Sequence, residues 1–170
     1  MLLQKIRQDE RLKPLLQDRC EDEGICVEID KNIPKEDYVI LKLDSFYNTI
    51  NFATPPPSPD CFIIQRCAGT DKYGITIVEL KGINNSDGFK VENMKAKFET
   101  CFQEFMLKDF KNYFNRDYSK IQLYFVSEIE IYRREAGLKM KVLESISFKF
   151  RGKPYKIKPF KPTPAVKPCY

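Results

Sequence analysis

The sequence of 170 residues contains no histidine. Because imidazole is missing, the chain cannot contain a Ser-His-Asp or Cys-His nucleophile pair, a histidine-ligated zinc ion, or a nuclease site with a histidine general base. Any chemistry must depend on carboxylates, lysine, tyrosine, cysteine or a bound cation. The length suits one domain with its own core, and an aromatic content of 13% is typical of a globular protein.

A long apolar run is also missing. The N-terminus reaches a charge at Lys5, which is too early for a signal peptide, and no later stretch approaches the length of a transmembrane span. We therefore expect a cytoplasmic protein.

The cysteines show no CxxC spacing, although C-x5-C occurs twice. Paired zinc-binding cysteines are usually separated by two to four residues, so the spacing argues against a zinc site. Because they lie in apolar segments of a protein expected in the cytoplasm, we interpret all of them as reduced, buried thiols. The six positions are Cys20, Cys26, Cys61, Cys67, Cys101 and Cys169.

Hydrophobic periodicity predicts a mixed α/β fold. The short connector after Arg66 predicts an antiparallel hairpin, and the helical crossover that follows Lys81 predicts parallel pairing of the next strand. The prolines near residue 56 predict a loop over residues 48–60. The predicted elements are one kinked or two short helices over residues 2–19, strands at Ile25–Ile29, Tyr38–Leu43, Cys61–Arg66 and Gly74–Lys81, a helix from Met94 to about Phe114, and a strand at Ile121–Val126.

Two carboxylates and a lysine are expected to meet at one end of this hairpin. Asp60 opens the first strand, and Glu79-Leu80-Lys81 closes the second. Alternation places Glu79 and Lys81 on the same face, and antiparallel pairing brings Asp60 close to Glu79. Two carboxylates can hold Mg²⁺, which accepts phosphate oxygens as further ligands and activates a bound water, while a lysine stabilises developing negative charge. Such phosphodiester chemistry needs no histidine.

The arrangement Pro59-Asp60, an 18-residue gap, then Glu79-x-Lys81 resembles the PD-(D/E)xK nuclease superfamily. The resemblance covers about residues 1–127 and implies a restriction-endonuclease-like three-layer core, with a mixed β-sheet flanked by helices. It further implies Asp60 and Glu79 as Mg²⁺ ligands, with Mn²⁺ as a possible substitute, and Lys81 as the catalytic lysine of DNA hydrolysis. A dimer is the expected form when both strands are cut.

The ligand set is open in two respects. Many members of the superfamily add an acidic residue, for which Glu10, Glu21, Glu23 and Asp44 are the candidates, although each also suits a solvated or turn-forming role. Alternatively, Asp60 caps the proline turn, and Glu79 and Lys81 form a solvated pair on a strand.

Positive charge is concentrated at the C-terminus. Residues 1–130, the expected nuclease-like core, carry 18 basic and 22 acidic residues, whereas residues 131–170 carry 11 and 2. We expect the latter segment to form a hairpin over ISFKF-RGKP-YKIKPF and an extended proline-rich tail within the same globular unit. The candidate contacts to a DNA backbone are Lys149, Arg151, Lys156 and Lys158; alternatively, these side chains protect a sheet edge from pairing.

The leading hypothesis is thus a Mg²⁺-dependent DNA endonuclease of the restriction or repair type. A second hypothesis is a non-catalytic nucleic-acid-binding or complex-forming subunit that retains the nuclease fold. A third is a protein-interaction domain in which the motif is accidental. A separation of more than about 8 Å between Asp60 and Glu79 would favour the third, since carboxylates so far apart cannot share a hard cation.

Overall fold

A computed structural model of the chain describes residues 1–49, 53–82 and 86–170. It is a mixed α/β structure with a mixed sheet. Part of the loop predicted over residues 48–60, namely 50–52, lies outside the described residues. Residues 48 and 49 lie in a helix, so the prediction is wrong for them, whereas residues 53–60 form neither helix nor strand, as their prolines predict.

Eleven strands are present in the described residues, and most are short. In chain order they are β1 Leu16–Gln17, β2 Cys20–Asp22, β3 Ile25–Ile29, β4 Tyr38–Lys42, β5 Cys61–Arg66, β6 Tyr73–Lys81, β7 Lys120–Ser127, β8 Phe148–Phe150, β9 Lys153–Tyr155, β10 Ile157–Phe160 and β11 Ala165–Val166.

The helices lie before, between and after the strands. They are α1 Leu2–Gln8, α2 Leu43–Thr49, α3 Val91–Thr100, a π-helical segment Cys101–Asp109 that continues α3, α4 Lys111–Phe114 and α5 Ile129–Ser145, with single 3₁₀ turns at Lys13–Leu15 and Lys35–Asp37. Of the helix or helices predicted over residues 2–19, α1 and the 3₁₀ turn at Lys13–Leu15 are present, whereas residues 16–17 form β1 and residues 18–19 form neither helix nor strand. Among the described residues, we find no helix long and apolar enough to cross a membrane.

The main sheet has six strands in the order β1-β4-β5-β6-β7-β10. Strands β5 and β6 form the predicted antiparallel hairpin, and β7 pairs in parallel with β6, also as predicted. Both strands of the hairpin are almost entirely buried, which is expected of strands covered on both faces. The positions of Asp60 and Glu79 depend on this hairpin.

Alternate side chains of these strands enter two different cores. Phe62 and Ile77 belong to a large core formed with the helices, whereas Ile63 and Val78 belong to a smaller core on the opposite face. The smaller core is covered by a three-stranded sheet of order β11-β3-β2. The expected flanking helices therefore cover one face of the main sheet, and a small sheet covers the other.

The apolar stripe that predicts the long helix is buried throughout. Its members are Met94, Phe98, Cys101, Phe102 and Phe105. The helix changes from α to π geometry at Cys101, and the apolar spacing alone does not reveal this change.

Two helices were not predicted. Helix α2 begins at Leu43, where the predicted strand was to end. Helix α5 buries Ile129 and Tyr132 near its start and Met140 and Leu143 near its end, with non-helical angles at Ala136 between them. Each pair spans a single turn, so no continuous apolar stripe signals the helix.

The predicted C-terminal hairpin is correct only in its first half. Strands β8 and β9 are joined by Arg151 and Gly152, which both have positive φ, as a tight two-residue hairpin turn requires. The chain then leaves the hairpin, and β10 extends the main sheet parallel to β7. The proline-rich tail contains β11, which pairs with β3.

Four of the six cysteines form disulfides, so the interpretation as reduced thiols is wrong for them. Cys20 is bonded to Cys61, and Cys67 to Cys169, across separations of 41 and 102 residues. Local spacing cannot reveal such distant pairs. They form because β2 packs beside the start of β5 and the tail returns to the turn after β5.

Candidate active site

The hairpin register places Asp60 beside Glu79. Cys61 pairs with Val78, so the residue before β5 lies opposite the residue that follows Val78 in β6. The two carboxyl groups lie within hydrogen-bonding range of each other, a contact that requires a proton on one of them. The carboxyls of Asp60 and Glu79 are therefore close enough to share a cation, so the structure does not favour an accidental motif on this ground.

Asp60 is held in place by the strand beside it. Its side chain is buried, and its Oδ2 atom accepts a 2.7 Å hydrogen bond from the backbone N–H of Leu80. Burial, and then the negative charge of Glu79, raise the pKa of Asp60 to about 8. At neutral pH this carboxyl therefore binds a proton unless a cation replaces it.

Glu79 is fully buried in the sheet. Burial raises its pKa, whereas the ammonium groups of Lys97 and Lys81 lower it. Its Oε1 atom lies 2.5 Å from the Nζ of Lys97 and 3.6 Å from the Nζ of Lys81. When both carboxyls are ionised, its buried Oε2 atom receives no hydrogen bond from any residue that the structure describes.

Lys97 belongs to the site but was not predicted from the sequence. It lies on α3, three residues after the buried Met94 and four before the buried Cys101, so it borders the buried stripe of the helix. A lysine at such a position must find a counter-charge in the core, which is the signal that could have identified it. Its neighbour Lys95 instead pairs with the exposed Glu99.

Asp44 belongs to the outer part of this site. It lies in the first turn of α2, and its Oδ1 atom is buried without a hydrogen-bond donor in the described part of the chain. Burial raises its pKa, with opposing contributions from Lys42, which lowers it, and Asp22, which raises it. Asp22, at the end of β2, also raises the pKa of Asp60 and was not predicted as a neighbour.

The other three acidic candidates occupy different surroundings. Glu10 is exposed, and Glu21 is exposed with its carboxylate 3.8 Å from Arg19. Glu23 lies beside the end of β6, where its Oε2 atom accepts a hydrogen bond from the backbone N–H of Gly82. Of the four candidates, Asp44 has Lys97, the lysine that contacts Glu79, among the charges that shift its pKa.

Two adjacent carboxylates suit a hard cation that retains most of its water ligands. Within residues 1–49, 53–82 and 86–170, no group of three or more cysteine or acidic side chains is arranged to hold a metal ion. Mg²⁺ commonly uses one or two carboxylates and takes its other ligands from water and phosphate oxygens. The bare Oε2 atom of Glu79 and the adjacent Asp60 carboxyl fit that requirement.

The four predicted DNA-contacting residues are all exposed, but they do not form one patch beside the carboxylates. Arg151 pairs with Asp117, just before β7, whereas Glu79 is in register with Phe125 near the other end of that strand. The five residues from the start of β7 to Phe125 correspond to about 17 Å. Lys149 lies on the same hairpin as Arg151.

Lys156 and Lys158 lie on a separate segment. Lys156 precedes β10, and Lys158 lies in β10 next to Ile157, whose side chain enters the helix-side core. Since side chains alternate along a strand, Lys158 points to the opposite face of the sheet. The structure thus divides the four basic residues into two pairs.

Comparison with known proteins adds no relative: we find no matching family model, no matching curated protein and no matching solved structure.

Proposed function

We propose that this chain is a Mg²⁺-dependent DNA endonuclease of the restriction or repair type. The observation that carries the proposal is the buried contact between the carboxyls of Asp60 and Glu79, beside Lys81 and at the ends of two strands. Burying two carboxyl groups side by side is costly, because one of them must remain protonated or be neutralised by a cation. A fold that needed only stability would have apolar residues there.

Each side chain has a distinct role in this proposal. Asp60 and Glu79 hold Mg²⁺ or Mn²⁺, and the cation, when bound, supplies Lewis-acid polarisation of the phosphate and a more acidic water. Lys81 is the more accessible of the two lysines near Glu79, with 32% of its side chain exposed against 15% for Lys97. It contacts the scissile phosphate and stabilises the negative charge that develops when water attacks phosphorus and the bond to the leaving sugar oxygen breaks.

The restriction-endonuclease-like fold is part of the same proposal. A mixed sheet with β5 and β6 antiparallel and β7 parallel, and with α3 crossing between β6 and β7, supports it. We propose DNA as the partner and a homodimer as the form that cuts both strands. The division into a core of residues 1–130 and a basic segment of residues 131–170 remains a prediction.

The direct test is cleavage of supercoiled plasmid DNA with and without MgCl₂. Asp60→Asn and Lys81→Gln should each lower the Mg²⁺-dependent rate by about a thousandfold or more, the usual scale for losing a metal ligand or a transition-state charge. Asp71→Asn and Lys95→Gln are matched controls, because Asp71 is exposed in the turn between β5 and β6 and Lys95 pairs with exposed Glu99. Wild-type rates in Asp60→Asn and Lys81→Gln would refute the proposal.

Salt-dependent DNA binding without a Mg²⁺-dependent product would instead identify a non-catalytic binding subunit. The cytoplasmic location also remains a prediction. The two disulfides do not support it, since disulfides are more typical of oxidising compartments.

A further inference from the structure

The two lysines at Glu79 differ in how firmly they are held. The Nζ of Lys97 makes a 2.5 Å contact with Oε1, and α3 fixes its backbone between the buried Met94 and Phe98. The Nζ of Lys81 is 3.6 Å from the same oxygen, beyond ordinary hydrogen-bonding distance, and its side chain is twice as exposed. Two ammonium groups in such different positions are suited to different tasks.

The two oxygens of Glu79 are also unequal. Both ammonium groups approach Oε1, whereas Oε2 is buried and lacks a donor among the described residues when the carboxyls are ionised. A carboxylate anchored through one oxygen cannot rotate freely, so its second oxygen is fixed in direction. Lys97 therefore determines which oxygen of Glu79 remains available to a ligand.

We infer that Lys97 is a positioning residue, whose ammonium group holds Oε1 of Glu79 and thereby presents Oε2 to a divalent cation shared with Asp60. This inference rests on the proposed function. It divides the two lysines by role, since Lys97 acts on the metal ligand Glu79 and Lys81 acts on the phosphate. Lys97 does not contact substrate, because its ammonium group stays on Glu79 when the cation binds.

The test is calorimetric titration of the full-length protein with MnCl₂ in the absence of DNA. Lys97→Gln should weaken Mn²⁺ binding about tenfold, which corresponds to losing one well-placed charged contact. Lys97→Arg keeps the charge and should stay within about threefold of the wild type. Lys81→Gln should bind Mn²⁺ within about threefold of the wild type and yet lose cleavage, which would separate its role from that of Lys97.

Two variants show whether the inference or the proposed function has failed. Asp60→Asn should abolish Mn²⁺ binding, and Lys95→Gln, on the same helix but outside the site, should not change it. If Asp60→Asn abolishes binding but Lys97→Gln binds as tightly as the wild type, or more tightly, the inference is wrong and the metal site stands. If the wild type binds no Mn²⁺ at millimolar concentration, both the inference and the Mg²⁺-dependent function are wrong.

A measurement on the wild type covers the case in which Lys97→Gln does not fold. A lysine ammonium group held in a buried hydrogen bond exchanges its protons slowly and gives an observable ¹⁵N NMR signal, which the Lys97→Arg variant identifies by its disappearance. Saturation with Mg²⁺ should leave this signal in place. Its loss on adding Mg²⁺ would show that the cation displaces Lys97, which would overturn the inference.

Discussion

The two ends of the β5–β6 hairpin are built differently, although a disulfide lies at each. At the end where β5 begins, Cys61 bonds to Cys20, and the adjacent Asp60 lies against Glu79. At the end where β5 finishes, Cys67 bonds to Cys169 and Gln65 donates a hydrogen bond to the backbone of Lys167. Of these two ends, the first is the one at which two buried carboxyl groups lie side by side.

The contacts at the far end of the hairpin stabilise the fold, whereas the pair of buried carboxyls at the near end costs free energy. The far end is joined by a covalent bond and a hydrogen bond to a backbone acceptor, and although the amide oxygen of Gln65 is buried there without a donor among the described residues, no carboxyl pair is buried there. The near end contains a carboxyl whose pKa is raised to about 8 and a glutamate oxygen with no donor in the described residues when the carboxyls are ionised. Groups held at such a cost are typical of functional sites.

The largest expected effect on stability comes from removing the Cys67–Cys169 disulfide at the far end of the hairpin. The double substitution of Cys67 and Cys169 by serine opens a loop of 102 residues and should lower the free energy of unfolding by about 5 kcal/mol, the chain-entropy value for that length. Urea denaturation followed by circular dichroism measures the change. Mn²⁺ affinity of the folded variant should be unchanged, because the bond is at the end of the hairpin remote from Asp60.

The same substitution of Cys20 and Cys61 provides the comparison. Its loop of 41 residues predicts a loss of about 4 kcal/mol. Because Cys61 adjoins Asp60, this variant should also bind Mn²⁺ more weakly. Equal Mn²⁺ affinity in the two double variants would mean that the near disulfide does not position the site.

The next effect is a pH dependence of stability. Asp60 ionises near pH 4 when unfolded and at about pH 8 when folded. Between these values the folded state holds the extra proton, so the free energy of unfolding falls as pH rises, by up to about 1.4 kcal/mol per pH unit. Below pH 4 this contribution to stability is fully present, and above pH 8 it has been lost.

Asp60→Asn removes that proton equilibrium. Its stability relative to the wild type should therefore increase between pH 5 and pH 7, by about 2 to 3 kcal/mol in urea denaturation. Asp71→Asn, in an exposed turn, is the control and should run parallel to the wild type. A difference between Asp60→Asn and the wild type that does not vary with pH would contradict the raised pKa.

The smallest effects are expected on the basic surface. Lys149→Gln, Arg151→Gln, Lys156→Gln and Lys158→Gln should each weaken DNA binding by a few-fold at 0.1 M salt, with a lower salt dependence, because each removes one phosphate contact. Fluorescence anisotropy with a labelled duplex measures both. The structure divides these residues into two pairs. If substitutions in only one pair weaken DNA binding, that pair lies on the surface that the DNA contacts.

Much of the site was predictable because strand alternation and a short hairpin connection are local. They require Asp60 to lie near Glu79, and Glu79 and Lys81 to share a face. Lys97 was not predictable in the same way, because local patterning does not determine how α3 packs against β6. Asp44 remained one of several acidic candidates until the packing of α2 brought it near Lys97 and Asp22.

The sequence by itself determined which kinds of side chain are available for chemistry and the central hairpin that brings Asp60 beside Glu79. Missing histidine leaves carboxylates, lysine, tyrosine, cysteine or a bound cation for any chemistry, and period-two patterning predicts β5 and β6. Only the tertiary structure decided the pairing of the cysteines, the return of β10 and β11 to the two sheets, and the contact of Lys97 with Glu79. All of these features depend on packing between segments far apart in the chain. Local periodicity in the sequence does not predict such packing.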